Sequence, residues 1–378
     1  MHFLVIGDLH YGKEFSTYQR NKFVDFKQEK LWFLKTDSYL RNTINEISEF
    51  IINQKEIIKI VFVGDEVDAP MLESGIYNNF KSLVDYCILM FSDCLNSIDV
   101  VIGTHDCTSY GEAGTYLTLL DGYKNIVNVY SKPTVVKYTD DSSILYLPYR
   151  DSKNFIEYID IDDLTILKSV KNLLIFSHNN FCFEYAGNIP LMSIVDFNKN
   201  LGISPELEIV FNGHIHNSYI KNGDNINFIQ VGSISPLAFD GDICRTGGIF
   251  LYKVEEEFER FNPSIQYTNK EIMFYKIDDT NNIDKLRQLL EENEDTLFFV
   301  KYETQTKDVI EELCQQNLNI IYICKYTKEL EILESEQEKS VKNEIVSQIN
   351  VRHEKNVDIC GLFDKYLSEK YGFIMKDV

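Results

Sequence analysis

Five short apolar runs in this 378-residue chain each lead straight into a residue able to bind a metal ion. After "HFLVIG" (2–7) come Asp8 and His10, in the pattern D-x-H, and after "IKIVFVG" (58–64) comes Asp65, within "GDEVD". "DVVIG" (99–103) runs into Thr104, His105 and Asp106. "NLLIFS" ends at His178, and "LEIVFN" ends at "GHIH", which carries His214 and His216. Imidazole mixed with carboxylate, without thiolate, suits manganese, iron, zinc or another borderline-to-hard divalent ion. Side chains on an extended chain repeat with period two, so Asp8 and His10 share a side, as do His214 and His216. A carboxylate such as Asp65 could bridge two metals ~3.5–4 Å apart, the arrangement that clamps a phosphoryl group during in-line displacement.

Any one of these motifs means little, because loops are rich in Gly and Asp for reasons of turn geometry. A lone histidine such as His178 is more often a polar loop-end residue than a ligand. The constellation carries the signal. Five of the seven histidines fall at strand ends in one ordered pattern, and only His2 and His353 are left without a role. Ligands of open α/β sheets gather at the carboxyl ends of strands, so the five turns are expected to converge.

The elements that must position them are legible in the periodicity. The five runs are short and β-rich, and "SYLRNTINEISEFIINQ" and "YNNFKSLVDYCILMFSDCL" between the first three have helical spacing. That is the β-α-β-α-β grammar of a layered α/β fold. Strands with short turns follow at 126–150 and 217–253, which predicts a second sheet or a mixed extension. "NPS" (262–264) is a turn signal and a candidate boundary. Beyond it "EIMFYKI", a helix at about 283–293, "TLFFVKY", a helix at about 305–316 and "NLNIIYICKY" make a compact β-α-β-α-β module. A Glu- and Lys-rich stretch at 328–350 precedes an amphipathic segment from Val357 to Phe373.

A formal charge of −22 argues against wrapping nucleic acid by phosphate neutralisation. It does not exclude phosphate chemistry through bound cations, which are the largest local charges in such a site. The eight cysteines form no C-x-x-C pair and sit mostly in apolar runs, the pattern of reduced thiols in a cytoplasmic protein. Asp8 interrupts the first apolar stretch, so no signal peptide is expected, and no run approaches the ~18 apolar residues of a membrane span.

D-x-H, G-D, G-N-H-D (here G-T-H-D), a lone His and G-H-x-H form the signature of calcineurin-like metallophosphoesterases, which this chain resembles from residue 1 to about 253. Within that superfamily "IGDLHYGKEF", with its D-x-H-x-G, resembles the opening of SbcD-type DNA-repair exonucleases and their phage recombination-endonuclease relatives. "FVGDEVDAP" is similar to their second motif and "GSISPLAFDGD" (232–242) to a later G-S segment. The resemblance implies a four-layer α/β fold, a β-sandwich flanked by helices, as a nuclease domain over 1–261. It further implies a smaller α/β capping domain over 262–327 and a C-terminal helical segment, 328–378, that binds an ATPase partner.

Carried over residue by residue, the resemblance implies one metal on Asp8, His10, Asp65 and His216. It implies a second on Asp65, His178 and His214 plus an asparagine, whose place Thr104 takes here. His105 matches the catalytic histidine and Asp106 the acidic residue that supports it. A hydroxyl is shorter than an amide and a poorer metal donor, so Thr104 is expected to soften the second site.

The function implied is a dimetal-dependent DNA nuclease subunit, with two divalent ions, manganese first and magnesium, iron or zinc as alternatives. It would act as a homodimer with an SbcC-like ABC ATPase, without membrane attachment, in the cytoplasm, or the host's cytoplasm if phage-encoded. Two alternatives stand beside it. The acidity favours a phosphoprotein phosphatase or small-phosphoester phosphodiesterase, and Thr104 alone favours a non-catalytic scaffold.

Overall fold

The computed structural model describes residues 1–13, 19–20, 22–23, 31–68, 74–107, 120, 122–123, 125–150, 159–183, 192–237, 247–254, 265–277, 280–303 and 306–326. The turn at 262–264, the polar stretch at 328–350 and the segment from Val357 to Phe373 lie outside them. Along the chain run β1 (His2–Ile6), β2 (Gln19–Arg20), α1 (Leu31–Gln54), β3 (Ile58–Phe62), α2 (Ser74–Met90), β4 (Leu95–Val101) and β5 (Val127–Tyr130). Next are β6 (Thr134–Lys137), β7 (Ser142–Leu147), α3 (Ile161–Ser169), β8 (Asn172–Ser177), β9 (Phe181–Cys182), β10 (Met192–Ser193), α4 (Ile194–Leu201) and β11 (Leu207–Asn212). Then come β12 (Tyr219–Asn222), β13 (Ile226–Gln230), β14 (Ile249–Lys253) and β15 (Ile265–Tyr267). The last are β16 (Ile272–Ile277), α5 (Thr280–Glu292), β17 (Leu297–Glu303), α6 (Lys307–Gln316) and β18 (Ile320–Tyr326).

Two six-stranded sheets carry the site, ordered β15-β14-β1-β3-β4-β5 and β12-β13-β11-β8-β7-β6. Within the first, β1, β3, β4 and β5 are parallel; within the second, β7, β8, β11 and β13 are parallel. Alternate residues of the central strands serve different cores. Leu4, Ile6, Ile60 and Phe62 pack with Leu40, Ile44 and Ile47 of α1 and Leu83 of α2. Phe3, Val5, Val61 and Val63 face Phe176, Phe211 and Ile229 of the opposite sheet. Leu173 and Ile175 turn outward onto Leu167 of α3 and Phe197 and Leu201 of α4. The order is therefore helix, sheet, sheet, helix: the four layers expected. Burial on both faces is why these strands read as unbroken apolar runs rather than as alternation.

β16, β17 and β18 form a third, parallel sheet, with α5 and α6 on one face through Leu286, Phe298, Ile310 and Leu313. Its other face meets Trp32 of α1 and Leu237 through Phe274, Phe299 and Ile321. Asn269 Nδ2 donates to Ser235 Oγ at 2.9 Å, and Ser235 Oγ lies 2.7 Å from Thr36 Oγ1, adding polar links to the same contact. β2 pairs antiparallel with β18, so residues just beyond the D-x-H motif supply this sheet's fourth strand. Among the described residues no helix is long and apolar enough to cross a membrane.

Candidate functional site

The carboxyl ends of β1, β3, β4, β8 and β11 meet where the two sheets abut, and the backbone there is tightly constrained. A Cβ on Gly213 would lie 2.4 Å from Val63 O, 2.7 Å from His178 Nδ1 and 2.8 Å from Asp8 Oδ1. Only glycine lets the end of β11 come that close to the opposite sheet. Gly64 has φ +93°, and beside it three residues with side chains, His10, Asp65 and His214, hold φ of +48°, +54° and +73°. Left-handed backbone is sparsely populated for such residues, and strain of this kind clusters at functional sites.

Three clusters of possible ligands converge here, one of them His10, Asp68 and His105, and two match the expected pair of metal sites. Asp8, His10 and His216 place ligating atoms within 4.8 Å of one another, and so do Asp65, His178 and His214. In the first, His10 Nε2 and His216 Nε2 are 3.2 Å apart, and His216 Nε2 is 4.0 Å from Asp8 Oδ2. In the second, His178 Nε2 is 3.1 Å from Asp65 Oδ2. The same Oδ2 lies 3.7 Å from His10 Nε2, so a single carboxylate oxygen faces both groups. Its partner, Oδ1, accepts the main-chain N–H of His105 at 2.7 Å.

The tautomers follow from what each ring faces. His178 Nδ1 donates to Val63 O at 2.6 Å, and His10 Nδ1 donates to Asp68 Oδ1 at 2.9 Å. Each leaves Nε2 as a lone pair turned inward, the arrangement by which an outer carbonyl or carboxylate orients a metal-binding histidine. Asp8 Oδ2 is buried without a hydrogen-bond partner, and His178 Nε2 faces Asp65 at 3.1 Å without a well-directed hydrogen bond. Dry, converging lone pairs on oxygen and nitrogen are unfavourable alone and are the donor set of a divalent cation. The residues present therefore fit metal.

Electrostatics without the cation show the same crowding. Burial lifts Asp8 to about 7, against the pull of His178. Burial opposes ionisation of Asp65, but His178, His10 and His105 outweigh it and hold that carboxyl far below the usual range. Burial pushes His178 down, yet Asp65 and Asp8 reverse this and raise it to about 9 in the metal-free protein, so its Nε2 is freed as a lone pair only when a cation displaces the proton. Burial and neighbouring imidazoles depress His214 to about 4 and His216 to about 3, so both rings are neutral donors at pH 7.

Thr104 Oγ1 lies 3.1 Å from His214 Nδ1, so the threonine does face the second group. His105 Nδ1 donates to the main-chain carbonyl of Asp68 at 2.6 Å. Asp106, expected beside His105 as its acidic support, makes different contacts. Its carboxylate accepts the N–H groups of Gly103 and Asp65 at 2.8 Å each, Glu66 at 3.1 Å and Val67 at 3.4 Å. It stitches the loop after β4 to the loop after β3, while His105 Nδ1 is held by the main-chain carbonyl of Asp68 rather than by a carboxylate. Asp68 binds His10 and, at 3.3 Å, Lys13 Nζ through its carboxylate, and His105 through its main-chain carbonyl. Glu66 is buried as well; burial and the adjacent Asp106 push its carboxyl well up, and its Oε1 accepts the main-chain N–H of Gly64 at 3.1 Å. A place three residues beyond Asp65 in "GDEVD" marks Asp68 as near the site, though not which groups it meets.

Residues 1–218 match the family model described as calcineurin-like phosphoesterase. The chain belongs to that family. A calcineurin-like phosphoesterase is a hydrolase by family, and its imidazole and carboxylate groups here are placed to hold divalent metal ions. No curated protein matches the chain. Among solved structures it is similar to wild-type Vps29 complexed with Zn2+ from Entamoeba histolytica, at 14% identity, covering 68% of this chain and 88% of that one, TM-score 0.27. It is also similar to a conserved uncharacterized protein, a predicted phosphoesterase, from Streptococcus pneumoniae TIGR4, at 12% identity, covering 68% and 83%, TM-score 0.26.

Proposed function

We propose that this phosphoesterase is a DNA nuclease that hydrolyses phosphodiester bonds with two divalent ions, manganese foremost. Asp8, His10, Asp65 and His216 would hold one ion; Asp65, His178 and His214, with Thr104 in the place of an amide, would hold the other. The observation that carries this is the single Asp65 oxygen facing both groups, 3.7 Å from His10 and 3.1 Å from His178. When bound, the two cations supply Lewis acidity toward the phosphoryl oxygens of a substrate.

The chain's own contribution centres on His105. Its Nδ1–H is committed to the Asp68 carbonyl, so Nε2 is the nitrogen free to exchange a proton. Half-buried at a strand tip, that nitrogen is the group to protonate a leaving oxygen. Asp106 keeps Asp65 and His105 in register by holding their loops together.

Three features favour DNA as the substrate: the D-x-H-x-G opening, the G-S segment after His216, and the added α/β module. A net charge of −22 suits a subunit whose partner, an SbcC-like ABC ATPase bound through residues 328–378, brings the basic surface. The active unit would be a homodimer in the cytoplasm. The same acidity favours a small-phosphoester phosphodiesterase as the second reading. The test is incubation with end-labelled double- and single-stranded DNA and manganese, beside a chromogenic phosphodiester. Metal-dependent loss of label is expected; turnover of the small ester with DNA left intact would favour the second reading.

A further inference from the structure

Three buried amides occupy the carboxyl ends of adjacent parallel strands where apolar residues would ordinarily sit. Asn179 follows β8, Asn212 ends β11 and Gln230 ends β13, each 0–1% exposed. Gln230 Nε2 shares its two N–H groups among three carbonyls, Gly213 at 2.7 Å, Asn212 at 2.8 Å and Ile215 at 2.9 Å. Asn212 Nδ2 donates to Gln230 Oε1 at 3.0 Å and to the carbonyls of Asn179 and Gly213 at 2.9 Å each. Asn212 Oδ1 in turn accepts the N–H of Asn179 at 3.1 Å. Asn179 Nδ2 closes the chain onto Leu147 O at 3.0 Å and Pro148 O and Ser177 Oγ at 3.1 Å.

Several of these links end on backbone next to a site histidine. Asn179 follows His178, Gly213 precedes His214, and Ile215 stands between His214 and His216. His214 holds φ +73°, and Gln230 grips the carbonyls on both sides of it. An isolated buried amide is a liability, whereas a fully paired network fixes one arrangement. We propose that Asn212 and Gln230 are positioning residues of the metal site. Asn212 sets the separation between His178 and His214, and Gln230 holds the loop bearing His214 and His216. This rests on the reading above that those histidines hold metal.

The two residues then have different signatures. Asn212 bonds directly to backbone beside His178 and His214, and reaches the backbone beside His216 only through Gln230. Gln230 orients His214 in that group and His216 in the group of Asp8 and His10. Displaced outer partners of metal-binding histidines typically cost ~10–100-fold in metal affinity. The experiment is a manganese titration of the full chain, read by the signal of free manganese in electron paramagnetic resonance, for wild type, Asn212→Leu and Gln230→Met. Two ions are expected on the wild type. Asn212→Leu should weaken one site at least tenfold and leave the other within about twofold, whereas Gln230→Met should weaken both. Variants that melt lower but titrate like the wild type would make the amides merely structural and overturn the proposal. Equal loss at both sites in both variants would overturn the division of labour. A wild type that binds no manganese would instead overturn the metal reading itself. If Asn212→Leu does not fold, Asn212→Asp keeps the shape and the acceptor for Asn179 while removing the donor, and the same split is expected.

Discussion

Replacing Asp106 by alanine separates two roles for that residue. Its carboxylate accepts four main-chain N–H groups, three of them within 3.1 Å, and it is fully buried. Removing the acceptor strands those donors, and each unsatisfied buried donor costs ~1–3 kcal/mol. Three such losses come to about 5 kcal/mol after allowing for relaxation and entry of water. Against a whole-domain stability of ~5–15 kcal/mol this is severe. At ~2–4 °C per kcal/mol the melting temperature should fall by roughly 10–20 °C. Asp106→Asn keeps one acceptor oxygen and should lose about half as much. Because the same bonds fix the backbone of Asp65, metal affinity should weaken along with stability. The assay is chemical denaturation of the metal-free chain together with a manganese titration. An Asp106→Ala variant with an unchanged denaturation midpoint and metal affinity, defective only in turnover, would refute the stitching role and return Asp106 to the side of His105.

Other substitutions give sharper, smaller effects. His105→Ala should leave metal content unchanged and slow turnover by ~10²–10⁴-fold, the range for a lost general acid; loss of bound metal would make His105 a ligand. Thr104→Asn should tighten the second metal, where ~1.4 kcal/mol is tenfold in affinity, and identical titrations would mean that the hydroxyl facing His214 already suffices. Glu208 tests pH dependence. Burial raises its carboxyl from 4.5 to about 7, against the lowering effect of the hydrogen bond from Asn198. The folded state therefore favours the protonated form, and stability is complete below pH 4.5 and lost as pH rises through 7. The loss approaches about 3 kcal/mol by pH 8. Glu208→Gln should abolish that decline, since an amide could also satisfy the unpartnered Asn198 Oδ1. Parallel stability–pH curves for the two proteins would contradict the assignment.

Much of this was legible in the sequence, for a physical reason. Strands buried on both faces must be apolar throughout, so β1, β3, β8 and β11 stand out within a residue or so of their observed limits. The residue where each run breaks lies at the carboxyl end of its strand, which is why the histidines and carboxylates that gather there stand out at the strand ends. Short elements fared worse: α3 and α4 have nine and eight residues, too few for periodicity to declare itself. β2, two residues long, pairs only because β18 offers an edge far along the chain. The contacts of Asp106 and Asp68 were illegible for a related reason. Both are acidic residues in a loop, and whether such a carboxylate meets a ring or a row of amides depends on how two loops dock. The amides Asn179, Asn212 and Gln230 look like strand-end polar residues until the sheet brings them side by side.

The central claim is that one carboxylate oxygen, Asp65 Oδ2, joins two metal sites. Its most direct test is a count of manganese bound per chain, wild type against Asp65→Asn, with chelated protein as the starting point. Two ions on the wild type and weakened binding at both sites in the variant are expected. A wild type that takes up a single ion, or a variant that loses one site and keeps the other at full strength, would contradict it.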